Sequence, residues 1–250
     1  MAVTPPPLLL LHGFTQTHAS WAPVRRALPA DREVLAPDAP GHGEASGLRL
    51  DLAGAATRAA ALLDGRRAIV VGYSMGGRTA LRLALDHPDA VAGLVLLGAT
   101  AGIDDPEERA ARRAADAALA DAIERDGVEP FVERWLAQPL FAGLQADPAD
   151  LVARRANTAD GLASSLRLAG TGTMDPPWWR ELVRIDVPTL VLWGERDGKF
   201  AALGRRLVEA IGAHAEGRAI AGAGHAAHLS HPDAVAAAIG TLAARLDPPG

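Results

Sequence analysis

The chain has 250 residues, 49% hydrophobic and 22% charged, enough to bury one sizeable core and long for two. Its 25 Lys+Arg against 30 Asp+Glu give a formal charge of -5, which argues against a nucleic-acid or anionic-membrane surface. Cysteine is absent, which excludes disulfides, thiolate catalysis, iron–sulfur clusters and cysteine zinc sites. The early apolar run, residues 8–11, is far below the roughly 20 residues that a membrane helix requires, and no Lys or Arg precedes Arg25. The expected setting is therefore the cytoplasm. Of the basic residues only Lys199 is a lysine, which reads as codon bias in a chain equally crowded with alanine.

In chain order, short apolar runs closed by glycine or proline predict strands at residues 8–12, 34–37, 68–72, 93–97, 189–194 and 218–221. They alternate with alanine-rich stretches of helical character at 53–63, 75–86, 201–211 and 232–245. Strands apolar on both faces, alternating with helices, predict an α/β fold with a mostly parallel sheet. Strand signals stop between residues 99 and 175, where charged helical segments take over. This predicts a helical cap inserted into a core formed by residues 1–98 and 176–250. Residues 100–175 hold 8 Arg and 14 Asp+Glu, so the whole acidic excess falls in the predicted cap.

The sharpest local signal is Gly72-Tyr73-Ser74-Met75-Gly76, a G-x-S-x-G that follows one apolar strand and opens a helix. That context predicts a nucleophile elbow, a tight turn that presents the serine and aims helix N–H groups toward developing negative charge. A serine hydroxyl needs an imidazole to take its proton and a carboxylate to orient that imidazole. Asp197 follows the 189–194 strand, and His225 sits in the Gly222-Ala-Gly-His225 loop after the last strand, in the Ser, Asp, His order of this architecture. Asp186 would lie at the opposite end of its strand. Glu195 is close enough to Asp197 to serve as an alternative acid, and His228 is a candidate pocket residue. His231, before Pro232, reads as a helix cap or surface residue. In Leu9-Leu-Leu-His12-Gly13-Phe14, the backbone N–H of Phe14 can join that of Met75 in an oxyanion hole, with His12 a structural turn histidine. The Pro40-Gly-His42-Gly43 loop reads as scaffold.

With these motifs in place, the chain resembles the α/β-hydrolase superfamily over nearly its full length. Gly72-Tyr-Ser-Met-Gly-Gly-Arg78, Leu11-His-Gly-Phe-Thr15, Gln138-Pro-Leu-Phe141, Gly170-Thr-Gly-Thr-Met174 and Trp193-Gly-Glu-Arg-Asp-Gly-Lys-Phe200 are similar to the 2-succinyl-6-hydroxy-2,4-cyclohexadiene-1-carboxylate synthases of menaquinone biosynthesis. One departure is Ala99-Thr-Ala-Gly-Ile103, where the family commonly has Pro-Gly. The resemblance implies a lyase that eliminates pyruvate from a small polyanionic substrate with no metal or organic cofactor. Ser74, Asp197 and His225 would form the triad, with Ser74 serving as a base toward a carbon-bound proton.

A polycarboxylate needs cationic forks, and the planar guanidinium of arginine binds carboxylates bidentately. Arg78 lies one helical turn after Ser74. The family motifs further imply Arg112 and Arg155 as anion-binding residues of the cap, with Arg113 and Arg154 as adjacent alternatives. Tyr73 beside the nucleophile, Trp135 and Phe141 are the aromatic side chains expected against substrate.

Overall fold

The computed structural model describes residues 5–30, 32–145 and 147–247. Six strands form a single sheet: β1 (Leu8–Leu11), β2 (Val34–Leu35), β3 (Ala68–Tyr73), β4 (Val91–Leu97), β5 (Thr189–Gly194) and β6 (Ala215–Ile220). Their spatial order is β2-β1-β3-β4-β5-β6, and every neighbouring pair is parallel. β1, β3 and β4 are buried nearly throughout, which is why they read as continuous apolar runs rather than alternating ones. β6 starts three residues before its predicted place. As an edge strand it carries Ala-Glu-Gly-Arg at its start and is apolar only toward Ile220, so an apolar pattern marks only its end.

Helices cover both faces. On the core they are α1 (Ala22–Ala27), α2 (Leu52–Ala61) and α3 (Met75–Asp86). Between β4 and β5 come α4 (Pro106–Asp126), α5 (Val128–Leu136), α6 (Pro148–Arg155) and α7 (Ala159–Ala169), and α8 (Gly198–Ile211), α9 (Ala227–Ser230) and α10 (Pro232–Leu246) complete the chain. One apolar cluster joins α2, α3 and α8 to one sheet face, and a second joins α1 and α10 to the other. A third, built on Ala120, Ile123, Phe131, Leu162, Ala163 and Leu166, holds α4, α5 and α7 together. Helix starts follow side-chain caps: the Asp51, Asp105, Asp147 and Thr158 oxygens each accept from a backbone N–H in the first turn. Among the described residues no helix is long and apolar enough to cross a membrane.

Candidate active site

Ser74 stands between β3 and α3 with φ 51 and ψ -107, a left-handed conformation that costs a non-glycine residue strain. The turn is pinned on both sides: Ser74 N–H donates to the Leu97 carbonyl (2.9 Å), and its own carbonyl accepts from Arg78 N–H (3.2 Å). Gly76 is required by close approach, since a Cβ there would run into the Leu11 and His12 carbonyls. The helix therefore starts tight against β1, and the serine is lifted to the carboxyl end of the sheet.

Asp197 and His225 reach the same edge from the ends of β5 and β6. Asp197 caps α8, its Oδ1 accepting from Phe200 N–H at 3.1 Å, and its Oδ2 lies 2.8 Å from His225 Nδ1. A carboxylate only accepts, so Nδ1 carries the proton and the bare Nε2 faces Ser74 Oγ at 3.3 Å. Gly98, with φ +57, sits against the imidazole, and a Cβ there would stand 2.9 Å from His225 Cε1. Glu195, the alternative acid, instead accepts from Gly222 N–H (2.8 Å), and His231 lies beside Ser230 Oγ at the start of α10.

Residues 13–16 form a loop whose N–H groups are almost all engaged. Gly13 N–H donates to Gln16 Oε1, Thr15 N–H to His42 Nε2, and Gln16 N–H to the Gly13 carbonyl. Only the Phe14 N–H has no acceptor among the described residues. Met75, as the first residue of α3, likewise has no intrahelical acceptor. Both Phe14 and Met75 line the cavity beside Ser74. Thr15 also has positive φ and is held by two further residues: its carbonyl accepts from Asn157 Nδ2 and its hydroxyl from Arg154 Nη1, while Asn157 Oδ1 in turn accepts from Gly43 N–H. His12 donates through Nδ1 to the Gly13 carbonyl and accepts Ala39 N–H at Nε2, a turn histidine. Burial holds the pKa of His12 down to about 4 and that of His42 to about 3, so both rings are neutral props.

The serine opens into a cavity of about 520 Å³ lined by strand-end residues and by α4, α5 and α7. Its walls combine apolar Phe14, Leu119, Trp135 and Leu140 with cationic Arg78, Arg112 and Lys199. Arg78 is buried and donates to Thr171 Oγ1 at 2.8 Å; no carboxylate lies within 4.0 Å of it among the described residues. Burial and the nearby Arg112 bring its pKa down to about 10, opposed by Asp116, so it stays charged at neutral pH. Arg112 Nε is paired with Asp116 Oδ1 at 2.8 Å. Among the described residues no cluster of three or more His, Asp or Glu is arranged to hold a metal ion.

Three expected pocket residues lie elsewhere. Arg155 points outward, its side chain 38% exposed and paired with Glu129 and Glu133. Its neighbour Arg154 is the inward one, 1% exposed, but it pairs with Asp150 and ties Thr15 instead of lining the cavity. Tyr73 is buried beneath Gly13 and against His228, with ring centroids 4.0 Å apart, and burial pushes its phenol pKa up. Phe141 packs behind His225, 6.1 Å between centroids, on a separate cavity of about 110 Å³. Arg113 is turned to the Gly172 carbonyl. Lys199, Gln16 and Ser165 were not singled out as site residues. The one lysine of the chain lies on the cavity wall, and its singularity was the available signal.

The whole arrangement has close counterparts. An alpha/beta hydrolase fold family model matches residues 6–232. The 2-succinyl-6-hydroxy-2,4-cyclohexadiene-1-carboxylate synthase of Klebsiella pneumoniae (strain 342) is 36% identical over 96% of this chain and 94% of its own. The enzyme of the same name from Enterobacter sp. (strain 638) is 33% identical over 95% of this chain and 91% of its own. Among solved structures, MenH from S. aureus superposes with a TM-score of 0.91 at 28% identity, covering 98% of this chain and 96% of that one. The chain is an enzyme of the alpha/beta hydrolase fold and belongs, within it, to the family of 2-succinyl-6-hydroxy-2,4-cyclohexadiene-1-carboxylate synthases.

Proposed function

We propose that the protein is a cytoplasmic lyase that eliminates pyruvate from 2-succinyl-5-enolpyruvyl-6-hydroxy-3-cyclohexene-1-carboxylate, giving 2-succinyl-6-hydroxy-2,4-cyclohexadiene-1-carboxylate, with no metal or organic cofactor. The observation that carries this reading beyond its relatives is the charged, buried Arg78 beside Ser74, which has no carboxylate partner of its own among the described residues. A buried cation left without a counterion is costly, and a substrate carboxylate in the cavity would supply one. Lys199 adds a second positive charge to the same wall, where Asp116 offsets Arg112, and Trp135 offers an apolar face for the ring. The helices of residues 99–175 form the cap over this cavity.

In the mechanism, Asp197 keeps the His225 proton on Nδ1, so Nε2 accepts the hydroxyl proton of Ser74 as Ser74 Oγ removes a proton from the substrate carbon next to a ketone. Negative charge moves to the ketone oxygen, where the N–H groups of Phe14 and Met75 stabilise it. As the enolate collapses, a new ring double bond forms and the ring carbon–oxygen bond to the enolpyruvyl group breaks. The leaving group takes up a proton and departs as pyruvate, so atoms balance without water. The test is to supply the enolpyruvyl intermediate and follow pyruvate release, beside hydrolysis of short nitrophenyl esters. Stimulated release that is lost in Ser74→Ala is expected; ready ester turnover without pyruvate release would favour a serine esterase instead.

A further inference from the structure

His228 lies three residues after His225 on the same connection, and it is fully buried between Trp21 and Tyr73, with ring centroids 5.0 and 4.0 Å away. Among the described residues its one polar contact is to Gln16, 3.0 Å from Nε2 to Nε2. Chemistry fixes the direction of each bond in this chain. The Gly13 N–H, 2.9 Å from Gln16, needs an acceptor, so the amide oxygen faces Gly13 and the amide nitrogen faces His228. That nitrogen donates, so His228 Nε2 is bare and the ring proton is on Nδ1. Nδ1 is buried and has no partner among the described residues.

An aromatic hydrocarbon ring would fill this space without a stranded N–H, so packing alone does not account for a histidine here. What the imidazole adds is an acceptor for Gln16. We propose that His228 is a positioning residue: acting through Gln16, it anchors the Gly13 N–H, one peptide before the Phe14 N–H, and so fixes the turn that aims the Phe14 N–H at the charge that develops beside Ser74. Burial holds the His228 pKa well below its ordinary value, which keeps Nε2 free to accept. The connection that delivers the triad imidazole thereby also sets the oxyanion donor, and the two halves of the site share one register.

This inference rests on the oxyanion hole of the reading above, not on the identity of its substrate. It is therefore read in two assays, pyruvate release and nitrophenyl ester hydrolysis, and absence of pyruvate release by the wild type would sink the lyase reading while leaving this one measurable on the ester. His228→Phe keeps an aromatic ring between Trp21 and Tyr73 and removes the acceptor; His228→Gln restores an acceptor near Nε2. Displacing a transition-state donor by a fraction of an ångström predicts about a tenfold loss of kcat in His228→Phe, with KM changed less than about twofold. His228→Gln is expected within about threefold of wild type. Gln16→Met should lose at least as much kcat as His228→Phe, and the double variant no more than Gln16→Met alone, because both cut one chain. Melting temperatures measured alongside separate folding from positioning. Unchanged kcat in a folded His228→Phe, or losses that multiply in the double variant, would overturn the proposal; if His228→Phe does not fold, a folded Gln16→Met with unchanged kcat would do so.

Discussion

Arg154 reaches from α6 to the hydroxyl of Thr15, while its other edge is paired with Asp150 Oδ2 at 2.6 Å, so one buried guanidinium ties α6 to the loop of residues 13–16. Removing it leaves a buried carboxylate without a partner. Arg154→Met is expected to lose about 3 kcal/mol of stability in urea unfolding and to lower kcat. Arg155→Ala, which removes only two exposed ion pairs, should cost less than about 1 kcal/mol and leave kcat/KM unchanged. The reverse ranking would mean that Arg155 turns inward in solution.

Substrate charge gives a second test. Arg78→Met should lower kcat/KM for the polycarboxylate substrate at least about 30-fold, the lower end for truncating a buried charge partner. A neutral nitrophenyl ester should change by less than about threefold. Equal losses on both would assign Arg78 to the support of the elbow.

Gly98 is a third handle. Its φ of +57 and its approach to His225 mean that Gly98→Ala must move either backbone or imidazole. A fall in kcat with little change in KM is expected, together with slower fluorophosphonate labelling of Ser74. Unchanged labelling would show that the ring yields without losing Ser74.

Stability should also depend on pH through the buried histidines. His12 and His42 are neutral in the fold, surrounded by Asp38, Arg154, His18 and each other, whereas the unfolded chain protonates them below about pH 6.5. Their folded pKa values are depressed, so the stability they secure is present above about pH 6.5 and is lost as pH falls toward about 4 for His12 and about 3 for His42. His228 adds in the same direction. Each group contributes a slope of up to roughly 1.4 kcal/mol per pH unit. Urea midpoints measured from pH 7.5 to 5 should fall, and His42→Gln should flatten the slope. An unchanged slope would show that His42 does not titrate this way.

The elbow was legible in sequence because its chemistry is local: a strand, a glycine-flanked serine and a helix start are adjacent in the chain. Asp197 and His225 were legible for the same reason, each following its own strand directly. Residues whose direction depends on tertiary contact were not. On α6 the usual pattern is inverted, with Val152 68% exposed and Arg154 1%, because an Asp150–Arg154 pair, and not an apolar stripe, faces inward. Choosing between Arg154 and Arg155 from hydrophobicity therefore had nothing to act on. Tyr73 was placed by adjacency to the nucleophile, but neighbours at a strand end point to opposite sides, and it turned under the Gly13 loop. Gln16 gave no signal because its role is to join Gly13 to His228, a residue 212 positions away.

Two parallel strands side by side always require a connection that returns the chain to the starting edge of the sheet. In this molecule that obligatory connection, from Leu97 to Thr189, also supplies α4, α5 and α7 to the cavity wall. The hydrogen-bonded ladder between β4 and β5 is indifferent to what the connection carries, whereas the shape and charge of the cavity depend on it heavily. Ligand choice in this architecture is thus open to revision one helix at a time, while the strand ends that hold Gly98, Asp197 and His225 keep their places.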